Sequence, residues 1–400
     1  MRILFYLPVI TPWWFARIVQ PVMARLAATH EVHVLAPPPW RNTGIGADEI
    51  ALCTDLPDIC WHIVKDADHT SMRTEPKERD AIAAFVRSLD PDFTICRSAD
   101  FETPTQFPGI VRHITEGAAD PLKLGADCFH FTQTPFDHGV LPDLAADEIA
   151  KLDAMIAPYW PAMQRSARLD QVQRDYLNEW AALPADRPVI FLPLEYEHEE
   201  NFYSIHRPGP VANAGFLQQI SDQIGDRAFL ALTNHPLNEK HLDNSAVRQV
   251  VRANPSRMRL LPGKTPLGTR SSQFLMKAAD GLIVGDSKVY AMAGFLSTPM
   301  LRLSRFATGG WMHAARDMER FIADLQNASA EAPDTKRAQT WFAYHVANNL
   351  MCPRNPDLTA QTILKRLERP CDSARWQSNF DYFAQEWAHD LAGEPESALV

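Results

Sequence analysis

Residues 278–288 read AADGLIVGDSK, in which a short apolar strand is followed at once by a polar turn. The next segment, Val289–Leu296, has the pattern of a helix, so its N-terminal amides would lie beside Asp286, Ser287 and Lys288. Backbone amides, a hydroxyl and an ammonium group together suit an anion. Asp286 has a second interpretation as the N-cap of the same helix. The stretch therefore predicts a strand, a turn that binds an anionic group, and a helix.

The same alternation of strand and helix extends outward through the second half of the chain. Helical segments separate five predicted strands, which are Val189–Pro193, Ala228–Thr233, Met258–Leu261, Gly281–Val284 and Thr298–Leu303. Near the N-terminus, the strand Arg2–Pro8, the helix Phe15–Thr29 and the strand Glu31–Leu35 repeat the pattern. Alternating strands and helices are typical of parallel sheets, which bind ligands at the carboxyl ends of their strands. The predicted fold class is α/β, with two doubly wound, Rossmann-like domains and C-terminal helices.

A Pro-rich segment, LPADRP at 183–188, divides the two series. It predicts an N-terminal domain over 1–183, a second domain over 184–372 and a C-terminal helix over 373–400. That helix carries aromatic residues at helical spacing, namely Trp376, Phe380, Phe383 and Trp387. The spacing predicts one buried face, packed either against the N-terminal domain or as a cap on the second domain.

The composition narrows the range of functions. The chain has 400 residues and a net charge of −10, without the basic stripe of a nucleic-acid-binding protein. No apolar stretch reaches the length of a membrane span, and the N-terminal segment is interpreted as a strand rather than a signal peptide. The six cysteines show no metal spacing and are expected to be reduced thiols. We expect a cytoplasmic enzyme, with peripheral contact at the inner face of the membrane and the oligomeric state left open.

His235 stands at the end of the predicted strand Ala228–Thr233, directly before Pro236. A residue before proline is held in extended backbone, which fixes the position of the imidazole. Such a histidine can donate a hydrogen bond to a phosphate or stabilise a departing diphosphate. The alternative is a strand-end histidine that packs locally.

Glu116 and Gly117 follow another predicted strand, Val111–Thr115. A carboxylate at a strand end beside a flexible glycine can take the proton of an acceptor hydroxyl. Asp120, Asp137 and His138 are alternatives for that role in the same stretch.

Trp13 and Trp14 lie in the loop after the first strand, where ligands of α/β sheets bind. Aromatic faces stack on sugars, so the pair is a candidate acceptor platform, with a core position as the alternative. Asp120 is a further candidate on the acceptor side.

Two motifs together resemble the capsular polysaccharide transferases and their relatives. These relatives include bacterial Kdo transferases of capsule export, bacterial sialyltransferases and teichoic-acid glycerophosphotransferases. The motifs are the HP pair at His235 and the pattern D-x-L-I-x-x-D-S over 280–287, which is followed by A-x-x-x-x-x-P over 293–299. The segment 193–197, PLEYE, is similar to the start of the second domain in that group, and Glu116-Gly117 is similar to its EG turn.

The resemblance implies a GT-B glycosyltransferase without a metal or other cofactor. It implies donor contacts at His235, Pro236 and Ser287, to which we add Asp286 and Lys288 from the turn. Where many members carry two adjacent hydroxyl residues, this chain has Ser287 followed by Lys288, so the donor stays open.

The acidic run 195–200 has two interpretations, a solvated loop or a metal site, and we favour the metal-free one. Within it, Glu195 is a further candidate for contact with the donor.

The predicted function is transfer of a sugar from a CMP- or NDP-linked donor to a surface or capsular glycan, or to a lipid-linked acceptor. His235 and Glu116 are the candidate catalytic residues. A nucleotide-sugar epimerase, a glycerophosphotransferase and a non-catalytic glycan-assembly protein are alternatives on the same fold. The sequence leaves open the sugar, the base and whether the anomeric configuration is retained or inverted.

Overall fold

The computed structural model describes residues 1–56, 59–64, 72, 76–98, 100–117, 125, 127–197 and 206–392. They fall into two units by their internal contacts. The first unit contains the described residues up to 117, those from 125 to 137, and the chain from Tyr344 onward. The second contains 138–343. The helices of 146–181 thus belong to the second unit, whereas the Pro-rich segment at 183–188 led us to place them in the first domain.

The sheet of the first unit contains six strands in its described residues. They are β1 (Arg2–Tyr6), β2 (Glu31–Ala36), β3 (Ile59–Ile63), β4 (Phe93–Cys96), β5 (Ile110–Glu116) and β6 (Phe129–Thr132). Their spatial order is β3-β2-β1-β4-β5-β6, with β6 antiparallel to β5 and the other pairs parallel. The chain reverses direction across the sheet between β1 and β4, as in doubly wound folds.

The sheet of the second unit repeats this order. Its described strands are β7 (Val189–Pro193), β8 (Phe229–Thr233), β9 (Met258–Leu261), β10 (Gly281–Val284) and β11 (Met300–Arg302). They are all parallel and lie in the order β11-β10-β7-β8-β9, with the reversal between β7 and β10. The fold class predicted from the sequence, two Rossmann-like domains with C-terminal helices, is confirmed.

Helices connect the strands in both units. Those of the first unit are Pro12–Trp14, Gln20–Ala27, Ala47–Ala51, Arg79–Leu89, Ala360–Glu368 and Trp376–Ala392, with short 3₁₀ or π segments at Phe15–Val19, Thr103–Gln106, His345–Asn349 and Ser373–Arg375. Those of the second are Ala146–Ile156, Trp160–Ser166, Gln171–Ala181, Asn213–Ile224, Pro236–His241, Ser245–Ala253, Ser271–Ala278, Tyr290–Leu296, Met318–Gln326 and Thr335–Tyr344, with a 3₁₀ turn at Gly310–Met312.

Alternate residues of β1 pack on opposite faces of the first sheet. Ile3 and Phe5 join a cluster with residues of the helices Gln20–Ala27 and Ala360–Glu368. Leu4 and Tyr6 join a different cluster, which includes residues of the helix Arg79–Leu89. Because side chains of a strand alternate between its two faces, a continuously apolar strand predicts burial on both.

One predicted helix is divided in the structure. The segment predicted as Phe15–Thr29 begins instead at Pro12, passes through a π-helical turn at Phe15–Val19 and ends at Ala27. Pro21 is the reason for this division, because proline has no N–H that could donate a hydrogen bond to a carbonyl of the preceding helical turn.

The aromatic face predicted for the last helix is confirmed. Trp376, Phe380, Phe383 and Trp387 are each at most 2% exposed. The Trp376 indole donates to Asn348 Oδ1 at 3.1 Å, so the helix is tied to the segment that returns into the first unit. None of the helices in the described part of the chain combines the length and apolarity that crossing a bilayer requires.

We expect Trp376→Ala to lower the free energy of unfolding by about 3–5 kcal/mol, because it empties a fully buried site and leaves Asn348 with one donor fewer. Chemical denaturation followed by circular dichroism measures this loss. The matched control is Gln377→Ala, at an exposed position on the same helix, which should change stability by less than about 0.5 kcal/mol. Equal effects of the two substitutions would contradict the assignment of this face to the core.

Candidate functional site

The second sheet brings two loops together where its strand order reverses. Strand β7 lies beside β10, so the loop that begins at Leu194 and the turn that begins at Gly285 leave the same edge of the sheet side by side. Open α/β sheets bind their ligands in the crevice at this position.

Glu195, in the first of these loops, is held from several sides. Its side chain is 7% exposed, pairs with Arg207 Nη1 at 3.3 Å and accepts from the Asp286 N–H at 3.3 Å. Its backbone carbonyl accepts from Asn213 Nδ2 at 2.7 Å and from Asn238 Nδ2 at 2.9 Å. This loop is therefore fixed to the start of two helices and to the turn after β10.

Asp286 is more deeply buried, at 1% exposure. Its Oδ1 accepts from Arg302 Nη2 at 3.1 Å and from the Ser304 hydroxyl at 2.5 Å. Its backbone carbonyl accepts from His138 Nε2 at 3.1 Å, and the His138 ring stacks on Tyr290 with centroids 3.9 Å apart. These contacts fix the backbone of the turn that carries Ser287 and Lys288.

The interpretation of Asp286 as a helix N-cap is wrong. The following helix begins at Tyr290, its N-cap is Val289, and no side chain caps it. Asp286 lies four residues before the first helical residue, too early for its carboxylate to reach the amides of the first turn.

Gly285 makes the close approach of the two loops possible. A Cβ at this position would lie 2.7 Å from Glu195 Oε1, well inside van der Waals contact. Any larger residue would push the Glu195 carboxylate away from the Asp286 N–H.

Burial raises the pKa of Glu195 to about 7. The guanidinium of Arg207 opposes the rise, and the charge of Asp286 adds to it. Burial also raises the pKa of Asp286, against the opposing effects of Ser304 and Arg302. A carboxyl group that exchanges its proton near neutral pH, in the ligand crevice of a sheet, is a candidate for proton transfer.

His235 follows β8 and caps the helix Pro236–His241, of which Pro236 is the first residue. Its Nδ1 accepts from the Leu237 N–H at 3.2 Å, and its half-buried ring stacks on Tyr196 with centroids 5.4 Å apart. Because Nδ1 accepts this bond, the neutral ring must carry its proton on Nε2, so Nε2–H is a donor.

Ser287 and Lys288 lie in the turn on the other side of β7. Ser287 is half-buried and its Oγ accepts from the Val289 N–H at 3.5 Å, while Lys288 is exposed. The strands β8 and β10 flank β7, so the starts of the two segments are two strand spacings, about 10 Å, apart. The sequence motifs at His235 and Ser287 therefore share one edge of one sheet.

Glu116 is the last residue of β5 in the first unit, and its side chain is 23% exposed. Its Oε1 accepts from Trp14 Nε1 at 2.9 Å and lies 3.5 Å from Arg97 Nη2. The Arg97 guanidinium also lies over the Trp14 ring at 3.9 Å. The three side chains form one cluster at the carboxyl ends of β4 and β5 and in the loop after β1.

The two adjacent tryptophans have different environments. Trp14 is 6% exposed and belongs to the core, which favours a core position for it over an acceptor platform. Trp13, in contrast, is 46% exposed. Among the alternatives to Glu116, His138 lies in the second unit against Tyr290, and Asp120 lies outside the described residues.

One group of potential metal ligands occurs in the described part of the chain, in the first unit. Asp127, Cys128 and Cys352 place ligand atoms within 4.8 Å of one another. Asp127 Oδ2 lies 3.0 Å from Arg354 Nε and forms an ion pair with it. The Arg354 guanidinium would therefore compete with a metal ion for this carboxylate. In the acidic run predicted from the sequence, residues 198–200 lie outside the described residues.

Sequence reasoning missed the basic partners of the predicted carboxylates. Arg207, Arg302 and Arg97 are each at most 8% exposed and each faces a carboxylate of the candidate site. A signal was present for Arg302 and Arg97, because an arginine inside or directly after an apolar strand is rarely buried without a partner. Arg207 has no comparable local signal.

No protein-family model matches the chain, and no curated protein matches it in sequence. Solved structures similar to it include KpsC of Thermosulfurimonas dismutans, a beta Kdo 2,7 transferase. That protein is 10% identical, with 92% of this chain and 98% of that chain covered and a TM-score of 0.41. A glycosyltransferase from Rickettsia africae is 9% identical, with 92% of this chain and 99% of that chain covered and a TM-score of 0.35.

HepE of Anabaena, solved in complex with UDP and glucose, is 10% identical, with 98% of this chain and all of that chain covered and a TM-score of 0.30. A Kdo transferase and another glycosyltransferase are thus among the similar structures. At these identities and TM-scores the likeness assigns no function, and the strand order of the two sheets defines the fold.

We expect Glu195→Gln to change how stability depends on pH. The folded-state pKa lies above the ordinary value of 4.5, so the folded state holds the proton more tightly than the unfolded state. The stabilisation is complete below pH 4.5 and is lost as the pH rises through about 7. Relative to Glu195→Gln, the wild type should lose about 3 kcal/mol between pH 5 and pH 8.

Urea denaturation at several pH values measures this difference. The control is Glu179→Gln, at an exposed position in the same unit, whose stability should run parallel to the wild type. A parallel curve for Glu195→Gln as well would show that the Glu195 carboxyl is not the perturbed group.

Proposed function

We propose that the chain is a GT-B glycosyltransferase that moves a sugar from a nucleotide-linked donor to a surface or capsular glycan, or to a lipid-linked acceptor. The donor is CMP- or NDP-linked, and we place the reaction in the cytoplasm at the inner face of the membrane. The observation that carries the proposal is the position of His235 at the ligand edge of the second sheet, where its Nδ1 accepts the capping bond and its neutral ring therefore carries the proton on Nε2.

The donor's phosphate is the group that this edge suits best. His235 Nε2–H supplies a hydrogen bond, Lys288 supplies a positive charge and Ser287 supplies a hydroxyl. Pro236 holds the backbone of His235 in an extended conformation. When the bond between the anomeric carbon and the phosphate oxygen breaks, its electron pair stays on the phosphate. Hydrogen-bond donors and a positive charge that already lie at that phosphate would stabilise the negative charge that develops on it.

Two buried side chains have different roles in this proposal. Asp286 fixes the turn that carries Ser287 and Lys288 through its bonds to Arg302 and Ser304. Burial raises the pKa of Glu195 to about 7, so part of it is protonated at neutral pH. In its protonated form the carboxyl group can donate a hydrogen bond to the nucleotide sugar.

We propose that the first unit binds the acceptor. Glu116 takes the proton of the attacking hydroxyl, whose oxygen forms the new glycosidic bond to the anomeric carbon. Trp14 and Arg97 position its carboxylate. Trp13, with nearly half of its side chain exposed, offers a face on which a sugar can stack. Asp120 remains a candidate on the acceptor side.

Analysis of the product separates the proposal from its alternatives. A glycosidic bond to an added glycan supports glycosyl transfer. An epimerised free nucleotide sugar would identify an epimerase, and a phosphodiester would identify a glycerophosphotransferase. Binding of a glycan without turnover of any donor would favour a non-catalytic assembly protein.

We expect His235→Asn to lower the turnover of the nucleotide-sugar donor by about 100-fold or more, the usual effect of removing one donor from a developing negative charge. Asparagine can still cap the helix Pro236–His241, so the thermal stability should stay close to that of the wild type. Release of the nucleotide from a panel of CMP-, UDP-, GDP- and ADP-sugars measures the turnover.

His241→Ala is the matched control, because it removes an exposed histidine from the other end of the same short helix. It should turn over the donor at the rate of the wild type. Full activity in His235→Asn would remove this residue from the mechanism.

We expect Glu116→Gln to lower the rate of transfer by about 100-fold while leaving the affinity for the donor unchanged, because it removes the base and not the phosphate site. The measurements are kcat for transfer to the acceptor and the Kd of the nucleotide. Glu102→Gln, at an exposed position in the same unit, should leave both unchanged. Transfer at the wild-type rate in Glu116→Gln would exclude Glu116 as the base.

A further inference from the structure

A cavity of about 430 Å³ lies within the first unit, and no residue of the cluster around Glu116 lines it. Its walls come from the helix Ala360–Glu368, the start of the helix Trp376–Ala392 and the segment 351–358. Ligand sites for small molecules begin at about this volume. None of the candidate catalytic or donor-binding residues lines it.

Arg366 projects from the helix Ala360–Glu368 into this wall and is 6% exposed. Its Nε and Nη1 are buried and have no hydrogen-bond partner among the described residues. Burial and the nearby Arg375 lower the pKa of Arg366 to about 9, so the side chain remains charged at neutral pH. A buried guanidinium with unsatisfied donors is costly unless something else supplies the acceptors.

The remaining charges around the cavity do not supply those acceptors. Arg375 donates its hydrogen bonds to the carbonyl and side chain of Asn348 and to two further backbone carbonyls. Asp372 is the nearby carboxylate for both Arg375 and Arg366. Lys365 adds a third cation to the lining. Asp357 and Asp372 are the carboxylates of the lining, and Asp372 accepts from the Ala374 N–H. Three cations therefore face two carboxylates.

We propose that this cavity binds a small phosphate-bearing molecule whose phosphate accepts hydrogen bonds from Arg366. A phosphate fits the excess positive charge, and it presents several strong acceptor oxygens to the unsatisfied nitrogens at once. A cavity of this size holds a phosphorylated molecule about as large as a sugar phosphate. The site does not depend on the glycosyltransferase function proposed above.

Inorganic phosphate and pyrophosphate are the probes for this site. We expect both to raise the Tm of the wild-type chain saturably, with pyrophosphate effective at lower concentration, beyond the effect of sodium chloride at equal ionic strength. Calorimetric titration should give one site per chain. A shift no larger than that of sodium chloride would overturn the proposal, and binding of citrate without binding of either phosphate would overturn its assignment to phosphate.

The variants locate the site. Arg366→Met removes the buried charge, so it should raise the Tm without ligand and should lose at least ten-fold in affinity for pyrophosphate. Arg369→Met, at an exposed position just after the same helix, removes an equal charge and should bind as the wild type does. If Arg366→Met does not fold, Arg366→Lys replaces it and should bind at least ten-fold more weakly. Unchanged affinity in the folded variant would overturn the proposal.

Discussion

Two buried ion pairs meet through one backbone hydrogen bond at the carboxyl edge of the second sheet. The Glu195 carboxylate faces Arg207 and accepts from the N–H of Asp286, whose own carboxylate faces Arg302. Each charge would be expensive to bury alone, and together they fix the loops after β7 and β10 against each other. The absence of a side chain at Gly285 allows this close approach, because a Cβ there would lie 2.7 Å from Glu195 Oε1. The position of the turn that carries Ser287 and Lys288 depends on these two linked ion pairs.

Much of the fold follows from the sequence because buried parallel strands are continuously apolar and alternate with helices. The elements that sequence reasoning missed lack this pattern. Strand Ile59–Ile63 includes a histidine and a tryptophan and is only partly buried along its length. Strand Phe129–Thr132 is short and antiparallel at the edge of its sheet. The helix Pro236–His241 has six residues, most of them polar, so its apolar periodicity is too short to detect.

The candidate site was predictable to a similar degree and for a similar reason. Polar residues directly after an apolar strand point to the ligand edge of the sheet, which located Glu195, His235 and Ser287. What the sequence does not show is which side chain partners each carboxylate. Arg207 and Arg302 come to Glu195 and Asp286 through tertiary folding, and the roughly neutral pKa of Glu195 results from the burial that these contacts complete.

The central claim is that the carboxyl edge of the second sheet binds the nucleotide of a sugar donor. Titration calorimetry of the unmodified chain with CMP, UDP and GDP tests it most directly, because it needs neither the sugar nor the acceptor. We predict saturable binding of at least one of these nucleotides, with one site per chain. The absence of binding by all three would contradict the account and favour a glycan-assembly protein that retains the fold without the activity.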